Sequence, residues 1–214
     1  MKIVGINGSP RKGWNTATLL NKALEGAAQQ GAKTELIHLY DFRYQGCISC
    51  FTCKRENRHG VCAITDDLSQ VLENLRTAAA IIFASPIYLG NITGAMRSFL
   101  ERFLFCNVTY KTDPVTYYPR RIQTGFIYTM GLPEDFLDKF GYLHSFQSME
   151  RLVERLLGTV EMLYSCNTSP FEDYSKYDVN IFDEKKKAEH REKQFPADCL
   201  KAFQMGERFA KNAP

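Results

Sequence analysis

Apolar residues along this chain form short β-branched runs separated by longer stretches with helical spacing. The short runs predict strands. The longer stretches predict helices, since apolar residues recur three and four positions apart, as at Leu19, Leu20, Ala23 and Leu24. The predicted strands lie at residues 2–6, 34–39, 78–84, 122–130 and 159–165. The predicted helices cover residues 17–30, 66–75, 93–105, 145–157 and 196–210.

Strands and helices that alternate in this way are typical of an α/β fold with a parallel sheet covered on both faces. We therefore predict a flavodoxin-like three-layer sandwich whose five-stranded parallel sheet has the order 2-1-3-4-5. The whole chain, 1–214, is expected to be a single domain. It carries a cysteine-rich loop at 41–64 and an irregular excursion at 168–195, where the charge run EKKKAEHREK has no apolar period and is typical of a solvated face.

Composition and charge bear on the class of protein and on its partners. A hydrophobic content of 44% and a charged content of 24% are ordinary for a globular protein. The net charge of +3 is too small to favour a nucleic-acid partner. No apolar run approaches the roughly 18–20 residues that cross a bilayer, and no signal peptide is evident, because a strand begins at residue 2. We expect a cytoplasmic protein with no membrane partner.

The first strand runs into the loop GSPRKGWNT and then into a helix, an arrangement that binds phosphate in α/β proteins. The loop is not a Walker A motif, because Trp14 follows Gly13, and its glycines lack dinucleotide-binding spacing. An ordinary turn with a polar helix cap is the alternative. The side chains that suit a terminal phosphate, with Arg11 supplying a planar fork of donors, are Ser9, Arg11, Lys12, Asn15 and Thr16.

A second loop follows the predicted strand 78–84 and reads SPIYLGN. Ligands of open α/β sheets bind at the carboxyl ends of the strands. A Pro-Ile-Tyr-Leu-Gly turn there offers apolar side chains and free backbone amides, which a flat heteroaromatic ring requires. A plain loop with a buried tyrosine is the alternative. The candidate ring-binding residues are Pro86, Ile87, Tyr88, Leu89, Gly90 and Asn91.

Together the two loops resemble those of the NADPH-dependent FMN reductase group, which includes the iron–sulfur flavoproteins. GSPRKGWNT resembles the family's G-S-P-R-x-x-x-N-T loop, and SPIYLGNITGAMRSFLERF is similar to its second motif. Trp14 is a departure, and Arg97 and Glu101 stand where lysine and aspartate are usual. The resemblance implies that Ser9, Arg11, Asn15 and Thr16 bind the FMN phosphate.

The resemblance also implies contacts with the isoalloxazine ring. The second loop would pack on that ring, and the loop after strand 122–130 would reach it through Thr129 and Gly131. The family further implies NAD(P)H as reductant and a homodimer or homotetramer. No Ser/His/Asp or paired-carboxylate set stands out, and flavin chemistry requires none. No catalytic side chain is assigned.

Four of the seven cysteines lie within sixteen residues, in the pattern Cys47-x2-Cys50-x2-Cys53-x8-Cys62. This spacing is typical of metal ligands and matches the iron–sulfur flavoproteins, apart from a longer last gap. A [4Fe–4S] cluster, zinc and free or redox-active thiols remain open. The isolated Cys106, Cys166 and Cys199 are interpreted as packing residues or inert thiols.

Two main function classes follow. One is an FMN-dependent NAD(P)H oxidoreductase that reduces a small-molecule or protein acceptor. The other is an iron–sulfur flavoprotein that carries electrons between a ferredoxin-like partner and FMN. A flavin-free scaffold is the third and weakest interpretation.

Overall fold

A computed structural model of the chain describes residues 1–212. Its central sheet has five parallel strands: β1 (Lys2–Asn7), β2 (Lys33–His38), β3 (Ala80–Tyr88), β5 (Gln123–Thr129) and β6 (Val160–Ser165). Their order is β2-β1-β3-β5-β6, which is the predicted order of the five long strands. A two-residue strand that the sequence did not predict, β4 (Asn91–Ile92), pairs antiparallel with the end of β3.

Helices cover both faces of this sheet, as predicted. On one face lie α1 (Asn15–Gln29) and α7 (Phe195–Asn212). On the other lie α2 (Leu68–Leu75), α3 (Gly94–Asn107) and α5 (Tyr142–Leu157). Two short helices, α4 (Phe136–Lys139) and α6 (Glu184–Lys193), lie in connections that the sequence predicted to be irregular. In particular, the prediction of an irregular excursion at 168–195 is wrong for the residues of α6.

The core follows from the two-residue period of the strands. On β1, Ile3 packs with α1 and α7, whereas Val4 and Ile6 point to the opposite core. The side chains of β3 alternate in the same way: Ile82 packs in the core with α1 and α7, and Phe83 packs in the opposite core. Because both faces are covered, the central strands are apolar almost throughout.

Helices α1 and α7 pack unusually closely at two glycines. A Cβ atom built on Gly206 would lie 1.7 Å from the carbonyl oxygen of Ala23, and one built on Gly26 would lie 2.0 Å from that of Phe203. Only glycine allows this backbone contact. No helix within residues 1–212 is long and apolar enough to cross a membrane.

Candidate functional site

The loop between β1 and α1 is held by its own polar side chains. The buried Asn7 carboxamide accepts a hydrogen bond from the Ser9 N–H at 2.9 Å. The Ser9 hydroxyl in turn accepts one from the Arg11 N–H at 3.1 Å. The Gly8 N–H donates to the Ala84 carbonyl of β3, and Thr93 Oγ1 donates to the Gly8 carbonyl. The loop is therefore fixed to the carboxyl end of the sheet.

The first turn of α1 retains the features of an anion site. Its N-cap residue, Trp14, provides no side-chain cap, and the first turn contains no acidic residue. The N–H groups of a helix's first turn have no intrahelical acceptor, and the helix dipole favours negative charge there. The donors and dipole of this turn suit an anion such as phosphate chemically. Thr16 also joins α1 to β5, since its hydroxyl lies 2.6 Å from the hydroxyl of Thr129.

Residues 169–170 lie against this loop and bind several of its donors. Arg11 donates to the Pro170 carbonyl at 2.6 Å, and both Trp14 Nε1 and Asn15 Nδ2 donate to the Ser169 carbonyl at 3.0 Å. The predicted phosphate donors Arg11 and Asn15 are thus brought together but also contact this segment. Lys12 points elsewhere and pairs with Asp41 at 2.6 Å.

The second loop is a tight hairpin between β3 and β4. Tyr88 pairs with Asn91, and the two residues between them, Leu89 and Gly90, have φ of 51° and 81°. Two positive φ angles in a two-residue hairpin are typical of a type I′ turn, which favours Asn or Gly. Leu89 adopts this conformation while its side chain is fully exposed. Backbone strain of this kind clusters at active sites and ligand clamps.

A cleft of about 610 Å³ opens beside this hairpin at the carboxyl end of the sheet. Of the predicted residues, Ile87, Leu89, Gly90 and Gly131 line it. Its other lining residues were not predicted, and they include four aromatic side chains: Phe136, Phe140, Tyr142 and Phe182. A volume of this size suits a cofactor ring. Pro86, Tyr88 and Thr129 are absent from its lining, and Asn91 lines a smaller neighbouring cleft.

Lys187 of α6 also lines the cleft, although no sequence pattern singles it out. It is one of four lysines in a ten-residue charged helix, and its burial is not encoded in that pattern.

The four clustered cysteines are not arranged as one metal site in residues 1–212, although Cys53 and Cys62 both contact Cys106. Cys50 is exposed, Cys53 is buried, and Cys47 lines a groove between α3 and α5. Cys62 lies beside Cys106, so Cys106 is not isolated, although its burial agrees with a packing role. Within residues 1–212, no group of three or more Cys, His, Asp or Glu side chains is arranged to hold a metal ion. The thiols as placed therefore do not fit a cluster.

The surroundings of Cys62 nonetheless shift the pKa of its thiol far from the ordinary value. A hydrogen bond with the Cys106 thiol lowers the pKa of Cys62 to about 5, aided by the Arg102 guanidinium. The same contact, together with burial, raises the pKa of Cys106. Cys62 is therefore favoured as a thiolate at neutral pH.

Arg102 attaches this cysteine-rich segment to α3. Its guanidinium is buried and contacts the Asp66 carboxylate at 2.5 Å. It also donates to the carbonyls of Gln45 and Ile64 at 3.4 and 3.2 Å. Both ends of the segment 41–64 are therefore tied to one side chain.

A comparison with known families agrees with these loops. The family model for NADPH-dependent FMN reductase matches residues 1–117, which include both loops. The chain belongs to this family.

Individual members of the FMN reductase family and related flavoproteins align with about half of this chain. An iron–sulfur flavoprotein of Methanocaldococcus jannaschii is 39% identical over 102 residues, which are 48% of this chain and 51% of that protein. A Bacillus subtilis protein named as an NAD(P)H-dependent FMN-containing oxidoreductase is 31% identical over 48% of this chain and 52% of its own length. The chain spans about half the length of the curated relatives it matches.

Solved structures confirm the flavodoxin-like fold over nearly the whole chain. The NAD(P)H:quinone oxidoreductase from Methanothermobacter marburgensis superposes with a TM-score of 0.71 and 16% identity, covering 97% of this chain and 96% of that one. At this identity the likeness establishes the fold alone.

Proposed function

We propose that the protein is an FMN-dependent oxidoreductase that accepts hydride from NAD(P)H and reduces a small-molecule or protein acceptor. The observation that carries the proposal is the placement of the two family loops. They meet at the carboxyl end of the sheet, one as an uncapped helix N-terminus and the other at the edge of an apolar cleft. Family membership over residues 1–117 supports it.

In this proposal the chain's residues bind and orient the cofactor. Ser9, Arg11, Asn15, Thr16 and the first turn of α1 would hold the phosphate. Ile87, Leu89, Gly90 and Gly131, with the aromatic walls, would hold the ring and exclude water on one side. FMN, when bound, supplies the hydride and electron chemistry.

The first test is an absorbance spectrum of protein purified without oxygen, followed by titration with NADPH and NADH. Flavin bands that bleach on addition of either nucleotide are expected. A colourless protein that fails to bind added FMN contradicts the proposal.

The iron–sulfur electron carrier is kept as a second candidate. The four-cysteine spacing and the similar iron–sulfur flavoproteins favour it, whereas the arrangement of the thiols in residues 1–212, which forms no metal-type group, does not. Iron and acid-labile sulfide assayed on the same anaerobic sample decide between them. About four of each per chain would establish a cluster. Flavin without iron would leave Cys47, Cys50, Cys53 and Cys62 as structural or redox-active thiols.

A second prediction tests the phosphate assignment. Arg11→Ala should raise the dissociation constant for FMN about tenfold to a hundredfold, because a charge-assisted hydrogen bond contributes roughly 1.5–3 kcal/mol. Binding of riboflavin, which lacks the phosphate, should change little. Calorimetric titration with both ligands measures this.

The control is Lys22→Ala, which removes an exposed charge from the same helix away from the loop. It should leave both affinities unchanged. Equal loss of FMN and riboflavin affinity in Arg11→Ala would place Arg11 outside the phosphate site.

We also propose a cytoplasmic homodimer or homotetramer. The exposed apolar side chains near the cleft, such as Leu89, Phe140 and Ile181, support a neighbouring subunit there.

A further inference from the structure

Lys187 differs from every other lysine of α6. Its side chain is buried, with 4% of the residue exposed, whereas Lys185, Lys186 and Lys193 are exposed. Its ammonium donates to the Gly131 carbonyl at 2.5 Å and lies 3.4 Å from the Thr168 carbonyl. It also lies 5.2 Å from the ring centroid of Phe182. The ammonium is therefore fixed between the loops that follow β5 and β6.

No carboxylate neutralises this charge among the ion pairs formed within residues 1–212. Asp183, the N-cap residue of this helix, accepts from the Lys186 N–H and pairs with the Lys186 side chain at 3.8 Å. A buried ammonium that contacts only carbonyls and an aromatic ring is costly unless something else compensates it. Burial lowers the pKa of Lys187 to about 8, which still leaves it mainly charged at neutral pH.

A negatively charged group that compensates the Lys187 ammonium can reach it from the cleft. Lys187 lines it together with Gly131 and Phe182, and the remaining walls are largely apolar. Asp183 and Lys186 also line the cleft but are exposed to water. Coulomb interactions strengthen where water is excluded, so the buried cation acts on the cleft's contents more strongly than the exposed pair does.

We propose that Lys187 is a positioning residue that stabilises negative charge on the ring held in this cleft, so that the protein binds FMN more tightly when the ring is reduced and anionic than when the ring is oxidised and neutral. This inference rests on the proposed function. It assigns a role to a residue outside residues 1–117, the part of the chain that the family model matches.

The test is a potentiometric titration of the FMN-loaded protein, combined with equilibrium dialysis of oxidised FMN. Lys187→Met should lower the ratio of reduced to oxidised affinity about tenfold. For a two-electron couple this is a midpoint potential about 30 mV more negative. Lys187→Arg, which keeps the charge, should retain most of the wild-type ratio of reduced to oxidised affinity.

Two further variants separate charge from structure. Lys185→Met removes the same charge from an exposed position on the same helix and should leave the potential at the wild-type value. Lys187→Gln keeps a donor for the Gly131 carbonyl without the charge, and should lower the potential like Lys187→Met. If Lys187→Met does not fold, the midpoint potential is measured with Lys187→Gln instead.

The outcomes are distinguishable. A wild-type potential in folded Lys187→Met or Lys187→Gln would overturn the role of Lys187 while leaving the proposed function intact. Wild-type protein that binds no FMN would overturn the proposed function, and this inference with it.

Discussion

Replacing Arg102 with methionine should lower the free energy of unfolding by about 3 kcal/mol. Removing one partner of a buried ion pair costs roughly 3–5 kcal/mol, because the remaining charge loses its compensation. The lower value is expected here because Asp66 retains some contact with water, its side chain being 16% exposed. Methionine has about the length of the buried aliphatic part of Arg102. The loss of unfolding free energy therefore comes mainly from removal of the guanidinium group.

Thermal unfolding measures this effect. For a chain of this size, 3 kcal/mol corresponds to a fall in Tm of roughly 6–12 °C. The segment 41–64 should also become easier to cleave, since Arg102 contacts it at Gln45 and Ile64. Limited digestion with trypsin, which can cut after Lys54, Arg55 or Arg58, should release fragments earlier than in wild type.

The matched control is Arg97→Met on the same helix. Arg97 pairs with Glu101 at 3.1 Å, but both side chains are substantially exposed. Exposed pairs contribute about 0–1 kcal/mol, so this variant should remain close to wild type. Equal losses in the two variants would mean that the burial of the Arg102–Asp66 pair does not determine its contribution.

Gly206→Ala should be comparably or more destabilising, by about 3 kcal/mol or more. The added methyl group would lie 1.7 Å from the Ala23 carbonyl oxygen and 2.7 Å from its carbon. Both are backbone atoms that cannot rotate away, so α1 and α7 must separate. Overpacking of this kind usually costs about 1–3 kcal/mol, and rigid backbone places this case at the upper end.

Urea unfolding of Gly206→Ala and Gly94→Ala makes the comparison. Gly94 begins α3, and an added Cβ there would meet no atom within 4 Å. Gly94→Ala should therefore be neutral or stabilising by up to about 1 kcal/mol, since alanine favours helix. A midpoint for Gly206→Ala equal to that of wild type would show that the two helices are not in backbone contact.

The sheet was predictable because its strands follow a simple physical rule. Residues 80–84 are apolar on both sides, which a covered parallel strand requires, and their neighbours alternate between two cores. β3 nevertheless extends to Tyr88, beyond the predicted residue 84. Pairing with β5 through Ser85 and Pro86 lengthens it, and a Ser-Pro pair is a turn signal when only the sequence is considered.

The parts that escaped prediction are those whose burial comes from tertiary contacts. Helix α6 has no apolar face, so periodicity could not reveal it, and Lys187 is buried by carbonyls that belong to other loops. Cys106 lies 44 positions after Cys62 and meets it only because α3 packs beside the cysteine-rich segment. The aromatic side chains of the cleft come from two stretches with no repeating pattern, 134–143 and 168–195.

Trp14 gives the candidate site an optical reporter of its own. It is the single tryptophan of the chain, it lies at the start of α1, and its indole donates to Ser169. The guanidinium carbons of Arg11 and Arg191 lie 5.7 and 5.0 Å from its ring centroid. Indole emission excited selectively in the unlabelled protein therefore reports on the phosphate loop, the segment 169–170 and α6 together. Stopped-flow records of that emission can follow the movement of these three elements without any engineered dye.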